Sequence, residues 1–146
     1  MADSVKKQVL AQVLDLCKSL ISDNTVRKVE RKHALFLTEA ITPALHVVVG
    51  DEKVLYQDER GYNMQFPVAF HFIFATPRDP ESSADEFEAR IQKLIEADEQ
   101  LGGLVSKITY NGSAPFVIED MQPVNVAIVM YLFEYRRFKG DPAQNY

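Results

Sequence analysis

The sequence predicts an α+β domain with a mostly antiparallel β-sheet flanked by two main helices. From Tyr62 to Phe74, large apolar side chains fill every even position, and the odd positions are polar or small except Ile73. This alternation is typical of a half-buried strand. A second long strand is predicted from Val124 to Phe138. Helical periodicity occurs in only two segments, so helices and strands do not alternate along the chain as they do in parallel α/β folds.

The first helical segment runs from Ser4 to Ser22, with apolar residues three or four positions apart and polar residues on the opposite side. Asp3 or Ser4 can cap its first turn. The second segment runs from Ala84 to about Leu101. It begins with Asp85 and Glu86, which suit the positive end of the helix dipole, and a pair of glycines ends it.

Shorter strands are predicted at Val26–Val29, Ala34–Leu37, Leu45–Val49 and Leu104–Tyr110. Val54–Tyr56 is an apolar piece inside a polar segment and is predicted to be a hairpin arm or an exposed loop. Asn111-Gly112 is a strong turn signal. No repeat or linker divides the chain, so residues 1–146 are predicted to form a single domain with a short polar C-terminal tail at 140–146.

The middle of the last strand, Val126 to Phe133, is apolar at both parities, so both of its faces must be covered. The domain's own core can cover one face, and a helix or another subunit must cover the other. We assign Val126 and Ile128 to the core and place Val129 and Tyr131 on the opposite face. This pattern predicts self-association through the second face.

Composition excludes several classes of function. The net charge of −5 argues against a free-standing nucleic-acid binder, which needs clustered Lys and Arg. The single cysteine, Cys17, excludes an intramolecular disulfide and is predicted to be a buried structural thiol. Neither a signal peptide nor an apolar run of about 20 residues is evident, so the chain is predicted to be soluble, without a membrane partner, and made in the cytoplasm.

Residues for catalysis or cofactor binding are sparse. His33, His46 and His71 are the only histidines, and none has the spacing of a metal motif. The carboxylates between Asp79 and Glu88 are explained by a solvated helix start. No nucleophile elbow or phosphate-binding glycine loop is found. The sequence therefore predicts neither an enzyme nor a metal or cofactor site.

The phenylalanines at Phe66, Phe70, Phe72 and Phe74 allow two interpretations. They could form a stacking platform for single-stranded nucleic acid, or they could be the core beneath the helices. Stacking platforms interleave aromatic residues with Lys and Arg, whereas the intervening residues here are neutral or apolar apart from His71. The core is the favoured interpretation.

Two groups of charged residues are candidates for contacts with other proteins. Glu52, Asp58, Glu59 and Arg60 lie in a polar segment between strands, and Arg136, Arg137 and Lys139 end the last strand. The basic group is either a solvated strand end or an intersubunit or DNA-proximal charge set. We predict that both groups take part in contacts between subunits or with a partner.

The element order and several strings resemble the tail terminator proteins of long-tailed bacteriophages. The matching parts are the N-terminal helix, the strings Thr42-Pro-Ala-Leu-His-Val-Val-Val-Gly50-Asp-Glu and Tyr135-Arg-Arg-Phe-Lys-Gly-Asp-Pro142, the long strand to Phe74, and the acidic helix behind it. The resemblance implies a hexameric ring without catalytic activity, located in the virion. It also implies contacts with the tail tube protein and a neck or head-completion protein, and DNA passing through the lumen.

Two other classes remain open. The same α+β fold and apolar last strand would also suit a different neck or tail-tube component. A tube protein would polymerise alone, whereas a terminator stops at one ring. A small cytosolic enzyme or ligand-binding domain would instead need a deep pocket with convergent polar groups.

Overall fold

The computed structural model describes residues 3–32, 43–75, 80–118 and 124–143. The helices are α1 (Val5–Cys17), α2 (Ser19–Ser22) and α3 (Pro80–Ile95), followed by a 3₁₀ turn at Leu101–Gly103. The strands are β1 (Lys28–Lys32), β2 (Ala44–Val49), β3 (Lys53–Gln57), β4 (Gly61–Ala75), β5 (Lys107–Ile118) and β6 (Val124–Phe138). The predicted strand Ala34–Leu37 lies outside the described residues. No helix in the described ranges is long and apolar enough to cross a membrane.

The six strands form one sheet in the order β1-β2-β4-β6-β5, with β3 also paired to β4. Only β1 and β2 are parallel, which confirms the predicted α+β class. The β4–β6 pair extends without a break from Gly61 opposite Phe138 to Ala75 opposite Val124. Strands β2 and β3 follow each other along the other edge of β4. The predicted bounds of the last strand are confirmed.

Helices α1 and α3 pack on one face of this sheet. Their apolar residues, such as Val9 and Ile91, belong to one buried cluster with the even positions of β4. The four phenylalanines Phe66, Phe70, Phe72 and Phe74 are all buried there, which confirms the core interpretation. Cys17 also lies in this core, and burial raises the pKa of its thiol to about 12, as expected for a structural cysteine.

The predicted faces of β6 are reversed. Val129 and Tyr131 lie in the helix-facing core, whereas Val126 and Ile128 belong to a small cluster with Ile73 on the far face of the sheet. The cause is the register with β4, because residues paired across antiparallel strands share a face. Val129 is paired with Phe70, and Phe70 faces the helices.

Two local predictions also need correction. The strand predicted at Leu104–Tyr110 begins at Lys107 and continues through Asn111-Gly112. These two residues therefore do not form a hairpin turn. A bulge between Tyr110 and Ser113 accommodates Gly112, whose φ is 94°. The second helix ends at Ile95 rather than near Leu101. The side chain of Ser4 accepts a hydrogen bond from the backbone of Lys7, which confirms its capping role.

Candidate functional site

Seven of the nine residues predicted to form an interface lie together at one end of the sheet. We define the hairpin end as residues 50–63, which include β3 and its turn into β4, together with residues 134–139, which are the end of β6 and the residue that follows it. The β4–β6 register places Tyr62 opposite Arg137, and the backbone N–H of Lys139 donates to the carbonyl of Arg60 at 2.9 Å. The seven residues are Glu52, Asp58, Glu59, Arg60, Arg136, Arg137 and Lys139.

Asp58 shapes the turn of the hairpin end. Its Oδ1 atom accepts hydrogen bonds from the backbone N–H groups of Arg60, at 2.8 Å, and Gly61, at 3.0 Å. This is the use of an Asp side chain that favours tight turns. Asp58 therefore acts first as a structural residue, while Glu59 and Arg60 are exposed at the tip.

The basic residues at the end of β6 are held beside an aromatic ring. The guanidinium carbon of Arg137 lies 4.5 Å from the ring centroid of Tyr62, and the Lys139 ammonium lies 5.9 Å from it. Such cation–π contacts contribute about 0.5–1 kcal/mol at exposed sites. Arg136 is exposed on the other face of the strand. The strand end thus presents positive charge to both faces of the sheet.

Glu52 connects the start of β3 to the last strand. The hydroxyl of Tyr135 donates a hydrogen bond to Oε2 of Glu52. Burial is the main cause that raises the pKa of Tyr135, and the Glu52 carboxylate raises it further, so the phenol stays protonated at neutral pH. This contact anchors the β3 arm against β6.

Strand β3 exposes every one of its five residues. Val54 is 50% exposed, Leu55 42% and Tyr56 61%. The sequence indicated that this segment was a hairpin arm or a loop, and the structure shows the arm. The segment is not among the predicted interface residues, although an apolar triplet inside a charged segment is a signal for a contact surface.

Val129 and Tyr131 do not lie at the hairpin end. Their side chains are at most 1% exposed in the helix-facing core, so their assignment to an interface is wrong. The Tyr131 hydroxyl donates to Oε2 of Glu96 at 3.0 Å. Burial and this carboxylate raise the pKa of Tyr131. Tyr131 therefore helps to fix the segment after α3 on the sheet.

On the far face of the sheet, the apolar residues of β6 continue past the small cluster of Ile73, Val126 and Ile128. Ile73 and Val126 are fully buried there, whereas Ile128, Met130 and Leu132 are only half-buried. The buried cluster on this face includes no residue of the helices that the structure describes. The prediction that both faces of the middle of β6 are apolar is therefore confirmed, and the partly exposed apolar residues on the far face are Ile128, Met130 and Leu132.

Two histidines meet on the far face. His46 and His71 are opposite each other on β2 and β4, and they are 2% and 7% exposed. Burial, and secondarily the neighbouring His46, lowers the pKa of His71 to about 4. Within the described ranges, no group of three or more His, Cys, Asp or Glu side chains could hold a metal. The His71 imidazole is therefore neutral at pH 7.

We expect His71 to make the fold sensitive to acid. Its ordinary pKa is 6.5 and its folded pKa is about 4, so its contribution to stability is complete above pH 6.5 and is lost as the pH falls toward 4. At about 1.4 kcal/mol per pH unit, the loss reaches at most about 3 kcal/mol. Urea unfolding at several pH values should therefore show a steeper loss for the native chain than for His71→Leu. Equal slopes would contradict this assignment.

A cleft of about 230 Å³ lies beside α3, lined by residues that include Asp23, Thr25, Phe72 and Arg90. These three polar side chains bind one another. Arg90 Nη1 donates to Thr25 Oγ1 at 2.7 Å and lies 3.4 Å from Asp23 Oδ2. The hydrogen bond from Thr25 is the main cause that lowers the pKa of Asp23. The cleft therefore gives little support to the ligand-binding alternative.

No protein-family model matches this chain, and no curated protein sequence matches it. The hairpin end combines exposed apolar side chains, charges of both signs and a strand edge. These groups suit the recognition of a protein surface, in which apolar contacts give affinity and charges set register and partner choice.

Proposed function

We propose that this chain is a structural virion protein, a phage tail terminator whose copies form a ring of six. The ring caps the tail tube and joins it to the neck or head connector. The observation that carries the proposal is the two-sided apolar character of β6, because both main helices pack on one face and leave half-buried Met130 and Leu132 on the other. In an assembled particle, a neighbouring protein can cover such a face.

The hairpin end supports the same proposal. It projects Glu59, Arg60 and Arg136 into solvent at one end of the sheet, next to the apolar side chains of β3. In the proposed ring, charges of this kind set the register between neighbours or toward the tail tube protein and the neck protein. The basic strand end also suits proximity to DNA passing through the lumen.

A neck or tail-tube component is the second candidate, since the same apolar far face suits it equally well. The two differ in how assembly ends. A heterologous contact gives a closed ring when its rotation closes and an open polymer when it does not. A terminator is therefore expected to stop at one ring, and a tube protein is expected to stack further.

The test of this function is particle assembly in the absence of the chain. We expect tails of abnormal length, or tails that are not joined to heads, in electron micrographs of such particles. Supplying the native chain should restore normal particles. The variant Ile21→Ala, which changes an exposed side chain, should restore them as well. Normal, head-joined tails without the protein would overturn the terminator proposal.

A further inference from the structure

We propose that neighbouring copies bind edge to edge, with strand β3 of one copy adding to strand β5 of the next. This inference deepens the proposed function, on which it rests for the existence of the ring, by naming the surface that receives the second copy. It commits to another copy of this chain as the occupant of the β3 edge.

The exposed apolar side chains point to these two strands. Among the described residues, five large apolar side chains are exposed, and four of them lie on β3 or β5. Three are consecutive on β3, namely Val54, Leu55 and Tyr56, and the fourth is Tyr110 on β5. Ile21, at the end of α2, is the fifth. Exposed apolar residues on strand edges are what natural sheets avoid unless the edge is paired.

Both strands also have an open edge. Strand β3 pairs only with β4, and β5 pairs only with β6, within the part of the chain that the structure describes. An open edge presents backbone N–H and C=O groups that can accept an added strand. Strand β1 is the third edge, but its sequence Lys-Val-Glu-Arg-Lys carries four charges, which discourage pairing.

The strand directions fit this contact. Strands β4 and β5 are both antiparallel to β6, and β3 is antiparallel to β4, so β3 and β5 run in opposite directions. If the ring axis lies close to the strand direction, the rotation that relates one copy to the next leaves the strand direction unchanged. The β3 strand of one copy then meets β5 of the next as an antiparallel neighbour. Because the two edges differ, the contact is heterologous, which is the kind that builds rings.

The positions of the two edges add a geometric condition. Across β4, strand β3 lies level with residues 134–137 of β6, whereas β5 begins with Lys107 opposite Glu134 and extends away from the hairpin end. The edges are therefore staggered, so the strands must tilt from the ring axis, as they do in sheets that close on themselves. Antiparallel addition also brings the acidic residues after β3, such as Glu59, toward Lys107.

Cysteine cross-linking tests this contact. Val54, Leu55 and Tyr56 are replaced by cysteine one at a time, as are Tyr110 and Asn111 on β5. Each β3 variant is mixed with each β5 variant, and the mixture is oxidised. We expect disulfide-linked dimers in at least one mixture and none with either variant alone, because the contact joins unlike edges. Ile21→Cys is the matched control, and the native Cys17 is fully buried.

A second measurement does not depend on disulfide geometry. Tyr56→Glu should raise the concentration needed for assembly at least tenfold, whereas Ile21→Glu should leave it unchanged, with both variants keeping the native circular dichroism spectrum. If the chain forms rings that are indifferent to Tyr56→Glu and give no β3–β5 cross-link, the edge contact is wrong and the proposed function stands. If the native chain stays monomeric at every concentration, the edge contact and the ring both fail.

Discussion

Val129→Asp should leave the isolated chain unfolded at 25 °C. Val129 is 1% exposed in the helix-facing core, where it is paired with Phe70 of β4. An unpaired carboxylate in such a place costs several kcal/mol, which is comparable with the entire stability of a domain, about 5–15 kcal/mol. Circular dichroism and urea titration would show the loss of the cooperative transition.

The next residue along β6 provides the matched control. Met130 is half-buried on the far face, so Met130→Asp should keep the fold and instead weaken the binding of any partner that covers that face. Val126→Asp should destabilise the fold as well, because Val126 is fully buried despite its position on the far face. A folded Val129→Asp variant together with an unfolded Met130→Asp variant would contradict the assignment of the two faces.

The double reversal Arg136→Glu and Arg137→Glu should abolish ring formation at low salt while the subunit stays folded. The fold loses little more than the cation–π contact of Arg137 with Tyr62, about 0.5–1 kcal/mol. In the proposed ring, the reversal would replace attraction between subunits by repulsion, which costs several kcal/mol. Salt screens such charges, so raising the ionic strength toward about 1 M should recover part of the assembly. Sedimentation velocity at two salt concentrations measures both effects.

A pair of lysines provides the control for net charge. Lys18→Glu with Lys93→Glu changes the charge by the same amount at two exposed positions, one directly after α1 and one on α3 beside α2. This variant should assemble like the native chain. If the arginine reversal also assembled like the native chain, these arginines would lie outside the interface.

The long strands could be predicted from the sequence, but the faces of β6 could not. The alternation from Tyr62 to Phe74 fixes which side of β4 is buried, whereas β6 is apolar at both parities through its middle. Its faces depend on the register with β4, and a shift of one residue exchanges them. The aromatic residues Tyr131, Phe133 and Tyr135 were a usable signal, because they match the aromatic face of β4 across the pair.

The candidate site was predictable in part. The charged residues Glu59, Arg60 and Arg136 stand out in the sequence, but only the β4–β6 pairing brings them to one end of the sheet. For Val54–Tyr56 the sequence left a hairpin arm and an exposed loop open, and the structure shows a hairpin arm that is exposed. The turn predicted at Asn111-Gly112 is wrong because a β-bulge and a hairpin turn both favour a glycine with positive φ, and β5 has the bulge.

The mass of the purified protein in solution tests the central claim most directly. Native mass spectrometry and negative-stain micrographs across a wide concentration range should show closed rings with a mass close to six times the 16.6 kDa subunit, and no longer polymer. Tubes that grow with concentration would favour a tail-tube component instead. A protein that remains at 16.6 kDa at every concentration would contradict the account.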